Sequence, residues 1–131
     1  MTKVLIVEDD ALLRKAYKTK LTLEGFEVAE AADGVMGIEQ VKTWKPDVVL
    51  LDILMPNVDG IEVLRRLEPK KNYPGMRIIV FSNWSIPEKV EQALALGAEK
   101  YLVKSTISPN DMIQTLREKP KSSEPQEKEG A

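Results

Sequence analysis

The sequence contains no cysteine and no histidine. The absence of cysteine excludes disulfides and thiolate metal sites. The absence of histidine removes the commonest general base and any phosphohistidine relay within this chain. The net charge of -2 gives no electrostatic footprint for nucleic acid or for an anionic membrane surface. We therefore expect no direct binding to nucleic acid or to a membrane.

Long apolar runs are also missing, and no stretch is long enough to cross a bilayer. The chain does not start like a signal peptide, because the apolar stretch at residues 4–7 is short and ends in acid. We therefore expect a cytoplasmic protein. The chain has 131 residues, of which 43% are hydrophobic and 31% charged, and this is ordinary for one globular domain with a sizeable core.

Strand-like apolar runs alternate with stretches of helical periodicity about five times along the chain. The predicted strands are residues 4–7, 26–31, 48–51, 76–81 and 100–103, and the predicted helices are 11–24, 35–44, 58–67, 87–96 and one that follows Ser108. The residues predicted to face the core in the first, second and fourth helices are Leu13, Ala16, Tyr17 and Leu21; Val35, Ile38 and Val41; and Val90, Ala93 and Leu94. Residues 68–75 are predicted to be a polar loop, and Asp33 a helix N-cap. Repeated strand–helix units with short connections predict an α/β domain built on a doubly wound parallel sheet.

Residues 48–60 are the most informative stretch. They begin with an apolar run typical of a strand buried on both faces of a parallel sheet. A carboxylate, Asp52, appears where that strand should end, and Asp59 and Gly60 provide turn chemistry before the next helix. Ligands of open α/β sheets bind at the carboxyl ends of the strands. Asp52 is therefore the first candidate for a reactive group.

Other strand ends also carry polar residues, and in a parallel sheet these ends lie along one edge. Glu8 and Asp9 follow the first strand, Ser82 the fourth and Lys104 the fifth. Three clustered carboxylates repel one another, so a cation is needed to keep them ionised together. Oxygen ligands without histidine or cysteine favour a hard ion such as Mg²⁺. An aspartate carboxylate held in this way can attack phosphorus and form an aspartyl phosphate.

This ordered set of motifs resembles the receiver domain of two-component response regulators. The matching marks are Val-Glu-Asp-Asp at residues 7–10, the segment 51–60, Ser82, and Tyr-Leu-Val-Lys at residues 101–104. The resemblance covers residues 1–119. We interpret residues 120–131, which are polar and lack an apolar stripe, as a disordered tail.

The resemblance implies a five-stranded sheet of order 2-1-3-4-5, with helices on both faces, and a magnesium-dependent phosphorylation site. Asp52 would be the phosphoacceptor. The metal ligands would be Asp9, Asp52 and the backbone carbonyl of Leu54, with Glu8 acting through water. The domain would catalyse only its own phosphorylation and dephosphorylation.

The resemblance also implies which residues bind the phosphoryl group and which change conformation in response to it. Lys104, Ser82 and the backbone N–H of Asn83 would bind the phosphoryl oxygens, and Ser82 and Tyr101 would form a switch pair. The implied partners are a sensor histidine kinase or phosphotransfer protein and an unidentified downstream protein target. Partners would bind the surface formed by the fourth helix, fifth strand and fifth helix, or this surface would form a phosphorylation-dependent dimer.

Two positions depart from the family pattern. The residue after Lys104 is usually a proline in a cis peptide, but here it is Ser105. The residue after Ser82 is usually small, but here it is Asn83, followed by the bulky Trp84. Because Leu54, Asn83 and Trp84 flank the expected water path to the phosphoryl group, we predict slow loss of phosphate.

Three alternatives stay open from the sequence. An aspartyl-phosphate phosphatase of the haloacid-dehalogenase type would carry a second aspartate two positions after the nucleophile, where this chain has Leu54. A receiver-like interaction module would never be phosphorylated. A flavin or nucleotide binder would need a glycine-rich loop after the first strand, where this chain has acidic residues. The receiver is either a stand-alone domain or a fragment whose linker begins near Glu118.

Overall fold

The computed structural model describes residues 1–118 and has a five-stranded, all-parallel sheet of order β2-β1-β3-β4-β5. The strands are β1 (Lys3–Val7), β2 (Glu27–Ala31), β3 (Val48–Leu51), β4 (Arg77–Ser82) and β5 (Lys100–Val103). The predicted α/β fold and strand order are therefore confirmed. The proposed domain end at residue 119 and the predicted disordered tail lie outside the described residues.

Five helices connect or follow the strands: α1 (Ala11–Leu23), α2 (Gly34–Trp44), α3 (Gly60–Leu67), α4 (Pro87–Leu96) and α5 (Pro109–Arg117). Asp33 and Ser108 accept hydrogen bonds from backbone N–H groups in the first turns of α2 and α5, as N-caps do. The prediction of a loop over residues 68–75 is wrong for Pro69–Asn72, which forms one helical turn. Pro69 is buried and starts this turn, and the Asn72 amide donates to the Leu67 carbonyl at 2.9 Å. No helix within residues 1–118 is long and apolar enough to cross a membrane.

The core lies in two layers, one on each face of the sheet. Alternating residues of the strands point to opposite layers, so that Leu5 and Val7 of β1 join one cluster and Val4 and Ile6 the other. The same alternation occurs in β3 and β4, whose residues are all buried. This double burial explains why the central strands read as continuous apolar runs rather than alternating ones.

Several predicted inward-facing residues are exposed. Val35 is 58% exposed, Leu94 41% and Leu13 37%, and Ala16 is also exposed.

Helix α2 packs through two glycines instead of through Val35. A Cβ on Gly34 would lie 2.4 Å from the Val58 carbonyl oxygen, and one on Gly37 would lie 3.0 Å from the Val7 side chain. Val41 is buried and Ile38 packs against the core as predicted, so the prediction for α2 is wrong only at Val35, because apolar periodicity overlooks glycines. This close approach brings α2 directly against β1 and against the segment that precedes α3.

Candidate functional site

A cleft opens at the carboxyl edge of the sheet, where the first, third, fourth and fifth strands end. Its lining residues are Glu8, Asp9, Asp10, Leu13, Asp52, Leu54, Ser82, Asn83, Trp84 and Lys104. All but one of the site residues predicted from the sequence are in this set. The exception is Tyr101, which is partly buried and packs against one of the two core clusters.

Glu8, Asp9 and Asp52 form an acidic group in which one carboxylate oxygen from each residue lies within 4.8 Å of the others. Glu8 and Asp52 are buried, with exposed fractions of 3% and 8%, whereas Asp9 is exposed. Burial raises the pKa of Glu8, and hydrogen bonds from Lys104 and from the Asp10 N–H oppose that rise. A set of three oxygen donors, two of them shielded from water, suits a hard divalent cation.

Lys104 supplies a positive charge in direct contact with two carboxylates of the acidic group. Its ammonium nitrogen lies 2.6 Å from Glu8 Oε1 and 3.4 Å from Asp52 Oδ2. Burial alone lowers the pKa of Lys104, but the hydrogen bond to Glu8 and the charge of Asp52 outweigh it, and the pKa is raised. Lys104 therefore stays protonated well above neutral pH and holds a fixed charge beside Asp52.

Ser82 and Tyr101 both bind the backbone of Trp84. Ser82 is fully buried, and its hydroxyl oxygen accepts a hydrogen bond of 3.2 Å from the Trp84 N–H. The Tyr101 hydroxyl donates to the Trp84 carbonyl oxygen. Burial raises the pKa of Tyr101, and the charge of Asp52 adds to the rise, so this phenol is a donor at neutral pH. The two residues predicted as a switch pair are thus joined through one residue of the loop between β4 and α4.

The segment after β3 folds tightly back over Asp52. Gly60 donates its N–H to the Ile53 carbonyl at 2.8 Å. A Cβ on Gly60 would lie 2.5 Å from the Asp52 carbonyl oxygen, so only glycine fits here. Asp59 caps α3 by accepting from the Glu62 N–H at 2.9 Å. The sequence indicated turn chemistry at Asp59 and Gly60, but it did not indicate that Gly60 contacts the backbone of Asp52.

The loop after Lys104 differs from the family pattern that the resemblance implied. No cis peptide bond occurs among residues 1–118, so the Lys104–Ser105 peptide is trans. Lys104–Thr106 forms a short 3₁₀ turn. The Ser105 N–H donates to the Asn83 side-chain oxygen at 2.8 Å. Sequence reasoning assigned only the backbone N–H of Asn83 to the site and missed this role of its side chain.

Comparison with protein families gives the assignment. The family model described as the response regulator receiver domain matches residues 4–117. The chain belongs to this family. The resemblance identified from the sequence is therefore confirmed, and this receiver domain extends over nearly all the described residues.

Curated relatives agree with this assignment. The receiver domain is 42% identical over 106 residues to the chemotaxis protein CheY of Treponema pallidum, covering 78% of this chain and 72% of that protein. It is 39% identical over 115 residues to the transcriptional regulatory protein PdtaR of Mycobacterium tuberculosis, covering 87% of this chain. The match spans 54% of PdtaR, so this chain corresponds to about half of that longer regulator.

Solved structures share the fold. The chemotaxis protein CheY4 of Vibrio cholerae superposes with a TM-score of 0.81 at 31% identity, covering 89% of this chain and 97% of that one. A CheY-like receiver domain protein from Methanospirillum hungatei superposes with a TM-score of 0.82 at 28% identity, covering 89% and 91% of the two chains. The five-stranded receiver fold is thus common to this chain and to its relatives.

Proposed function

We propose that this receiver domain is a phosphorylation-dependent switch that accepts a phosphoryl group on Asp52 from the phosphohistidine of a sensor kinase or phosphotransfer protein. The observation that carries the proposal is the position of Asp52. It is buried in an open cleft, where Glu8 and Asp9 lie close enough to share a cation with it and the Lys104 ammonium nitrogen lies 3.4 Å from its carboxylate.

The proposed reaction needs no general base, because a carboxylate is already a nucleophile. An Asp52 carboxylate oxygen attacks phosphorus, the phosphorus–nitrogen bond of the phosphohistidine breaks, and the imidazole nitrogen leaves with the electron pair and takes up a proton. Lys104, already charged, faces the phosphoryl oxygens. The Ser82 hydroxyl and the Asn83 N–H are proposed to donate to those oxygens. Phosphoryl transfer depends mainly on such positioning and charge neutralisation.

The donor set of the acidic group fits Mg²⁺, since it offers only oxygens and no softer ligand. Asp9, Asp52 and the carbonyl oxygen of Leu54 would hold the ion directly, and Glu8 would act through a water molecule. When bound, Mg²⁺ would neutralise charge on the transferred phosphoryl group. The chain's own part is to keep the nucleophile Asp52 and the neighbouring Glu8 shielded from water.

The proposed output begins at Ser82. Its hydroxyl oxygen accepts from the Trp84 N–H in the structure, and a hydroxyl that accepts can also donate its proton, here to a phosphoryl oxygen. Movement of Ser82 toward that group would break the bond to the Trp84 N–H, and Tyr101 would move inward into the space released. The loop between β4 and α4 would then shift, changing the surface of α4, β5 and α5 that a downstream protein or a second copy reads.

The proposal limits catalysis to the domain's own phosphorylation and dephosphorylation. The position two residues after Asp52 is Leu54, whose side chain is 62% exposed and cannot act as an acid or base. A cytoplasmic location and the absence of direct nucleic-acid binding stay predictions from the sequence.

The decisive experiment is intact-mass analysis after incubation with acetyl phosphate and Mg²⁺. The wild type should gain one phosphoryl group, Asp52→Asn should gain none, and Asp47→Asn, which alters an exposed carboxylate outside the cleft, should behave as wild type. An unlabelled wild type would favour an interaction module that is never phosphorylated. Rapid multiple turnover on a small phosphate ester would favour a phosphatase.

A further inference from the structure

The Asn83 side chain links the two loops that carry the proposed phosphoryl-binding groups. The last paired residues of β4 and β5 are Ser82 and Val103, and the chain leaves the sheet immediately after each. Just beyond this point, Asn83 Oδ1 accepts the hydrogen bond from the Ser105 N–H at 2.8 Å. The bond thus extends the β4–β5 connection past the end of the strands and into the cleft.

With this bond, the backbone is restrained on both sides of Lys104. Val103, before it, is held by pairing with β4, and Ser105, after it, is held by Asn83. The Thr106 hydroxyl adds a bond of 3.2 Å to the Val103 carbonyl and tightens the same turn. A lysine side chain is long and flexible, so restraint of its backbone reduces the number of positions that its ammonium group explores.

We propose that Asn83 is a positioning residue that holds Lys104 in line with Asp52 through the N–H of Ser105. This inference rests on the proposed phosphorylation of Asp52. It gives the Asn83 side chain a role in that reaction although the side chain does not contact the phosphoryl group. The restraint matters most in the transition state, where the Lys104 charge must face the transferring group. Its loss should lower the maximal rate of phosphorylation more than the affinity for Mg²⁺.

The chemistry of the bond supplies a matched pair of variants. The donor is the backbone N–H of residue 105 and not the serine hydroxyl. Ser105→Ala therefore keeps the donor, whereas Ser105→Pro removes it. The acceptor is removed by Asn83→Ala.

The test measures the rate of phosphorylation by acetyl phosphate at saturating Mg²⁺. Ser105→Ala is compared with Ser105→Pro, first with Asn83 present and then in the Asn83→Ala background. With Asn83 present, the proline variant should be about twofold to tenfold slower than the alanine variant, as expected for loss of one neutral hydrogen bond. In the Asn83→Ala background the two should have nearly equal rates. Effects of proline that do not involve the Asn83 side chain occur in both backgrounds and cancel in the comparison.

A second measurement does not depend on phosphorylation. Hydrogen exchange of the Ser105 amide, followed by NMR without phosphodonor, should be faster in Asn83→Ala than in the wild type. Equal exchange rates, or the same proline-to-alanine ratio in both backgrounds, would overturn this inference alone. A wild type that acetyl phosphate cannot label would overturn the proposed function, and with it the role of Asn83 in positioning Lys104.

Discussion

Replacing Asp52 by asparagine should stabilise the domain when no divalent cation is present. The substitution keeps the shape of the side chain and removes one of three carboxylate charges whose oxygens lie within 4.8 Å of each other. Like charges at such distances destabilise the folded state, in which they are held together, more than the unfolded chain. The effect runs against the general tendency of substitutions at buried positions to destabilise.

The magnitude follows from the distances. With an effective dielectric constant of about 20, each repulsion of Asp52 by another carboxylate, taken at the 4.8 Å upper limit of their separation, amounts to about 3.5 kcal/mol. The attraction of Asp52 to Lys104 at 3.4 Å amounts to about 5 kcal/mol on the same scale. The two repulsions exceed the single attraction by about 2 kcal/mol. Because solvent reaches Asp9, we expect Asp52→Asn to raise the free energy of unfolding by about 1–2 kcal/mol.

Magnesium should reverse this order of stability and make the wild type more stable than Asp52→Asn. A ligand that binds only the folded state adds about 2.7 kcal/mol when its concentration is a hundred times its dissociation constant, which exceeds the advantage of the variant. The wild type should gain this increment from Mg²⁺, whereas Asp52→Asn, which lacks one direct ligand, should gain much less. The assay is urea denaturation with EDTA and again with Mg²⁺, and Glu39→Gln, which alters an exposed carboxylate of α2, serves as the control that should follow the wild type in both.

Two results would refute this reasoning. One is a variant less stable than the wild type in EDTA, which would mean that the pairing of Asp52 with Lys104 outweighs repulsion within the acidic group. The other is an equal gain from Mg²⁺ in wild type and variant, which would mean that the cation binds elsewhere.

Three further predictions concern the same cleft. Trp84 lines the cleft that leads to Asp52, so Trp84→Ala should speed the loss of phosphate, while Trp84→Phe should change its rate little. The rate is measured by intact mass after the phosphodonor is removed, and an unchanged rate in both variants would contradict the prediction. A Cβ on Gly60 would clash with the Asp52 backbone, whereas one on Gly75 would meet open space. Gly60→Ala should therefore lower the free energy of unfolding by about 1–3 kcal/mol, and Gly75→Ala should not. Equal losses of stability in urea denaturation would count against this packing. Burial raises the folded-state pKa of Glu8 above its ordinary value of 4.5, so Glu8 contributes most to stability below pH 4.5 and loses that contribution as pH rises through the folded pKa. In EDTA, the wild type should therefore lose stability relative to Glu8→Gln between pH 4 and pH 7. Parallel stability profiles of the two proteins over this pH range would disprove the prediction.

The order of strands and helices could be predicted from local patterns alone. Strands buried on both faces have continuous apolar sequences, and helix starts carry capping residues such as Asp33 and Ser108, so each element is visible without its neighbours. The convergence of Glu8, Asp9, Asp52 and Lys104 could also be predicted, because the carboxyl ends of parallel strands must share one edge.

Contacts between distant segments required the tertiary structure. Val35 was expected in the core, but the close approach of Gly34 and Gly37 turns that face of α2 inward and leaves Val35 exposed. The bond from Ser105 to Asn83 joins residues 22 positions apart, and its donor is a backbone group that every residue except proline carries. No side-chain pattern marks such a donor. Sequence therefore determined which chemical groups reach the edge of the sheet, and only packing decided how the loops that carry them are held together.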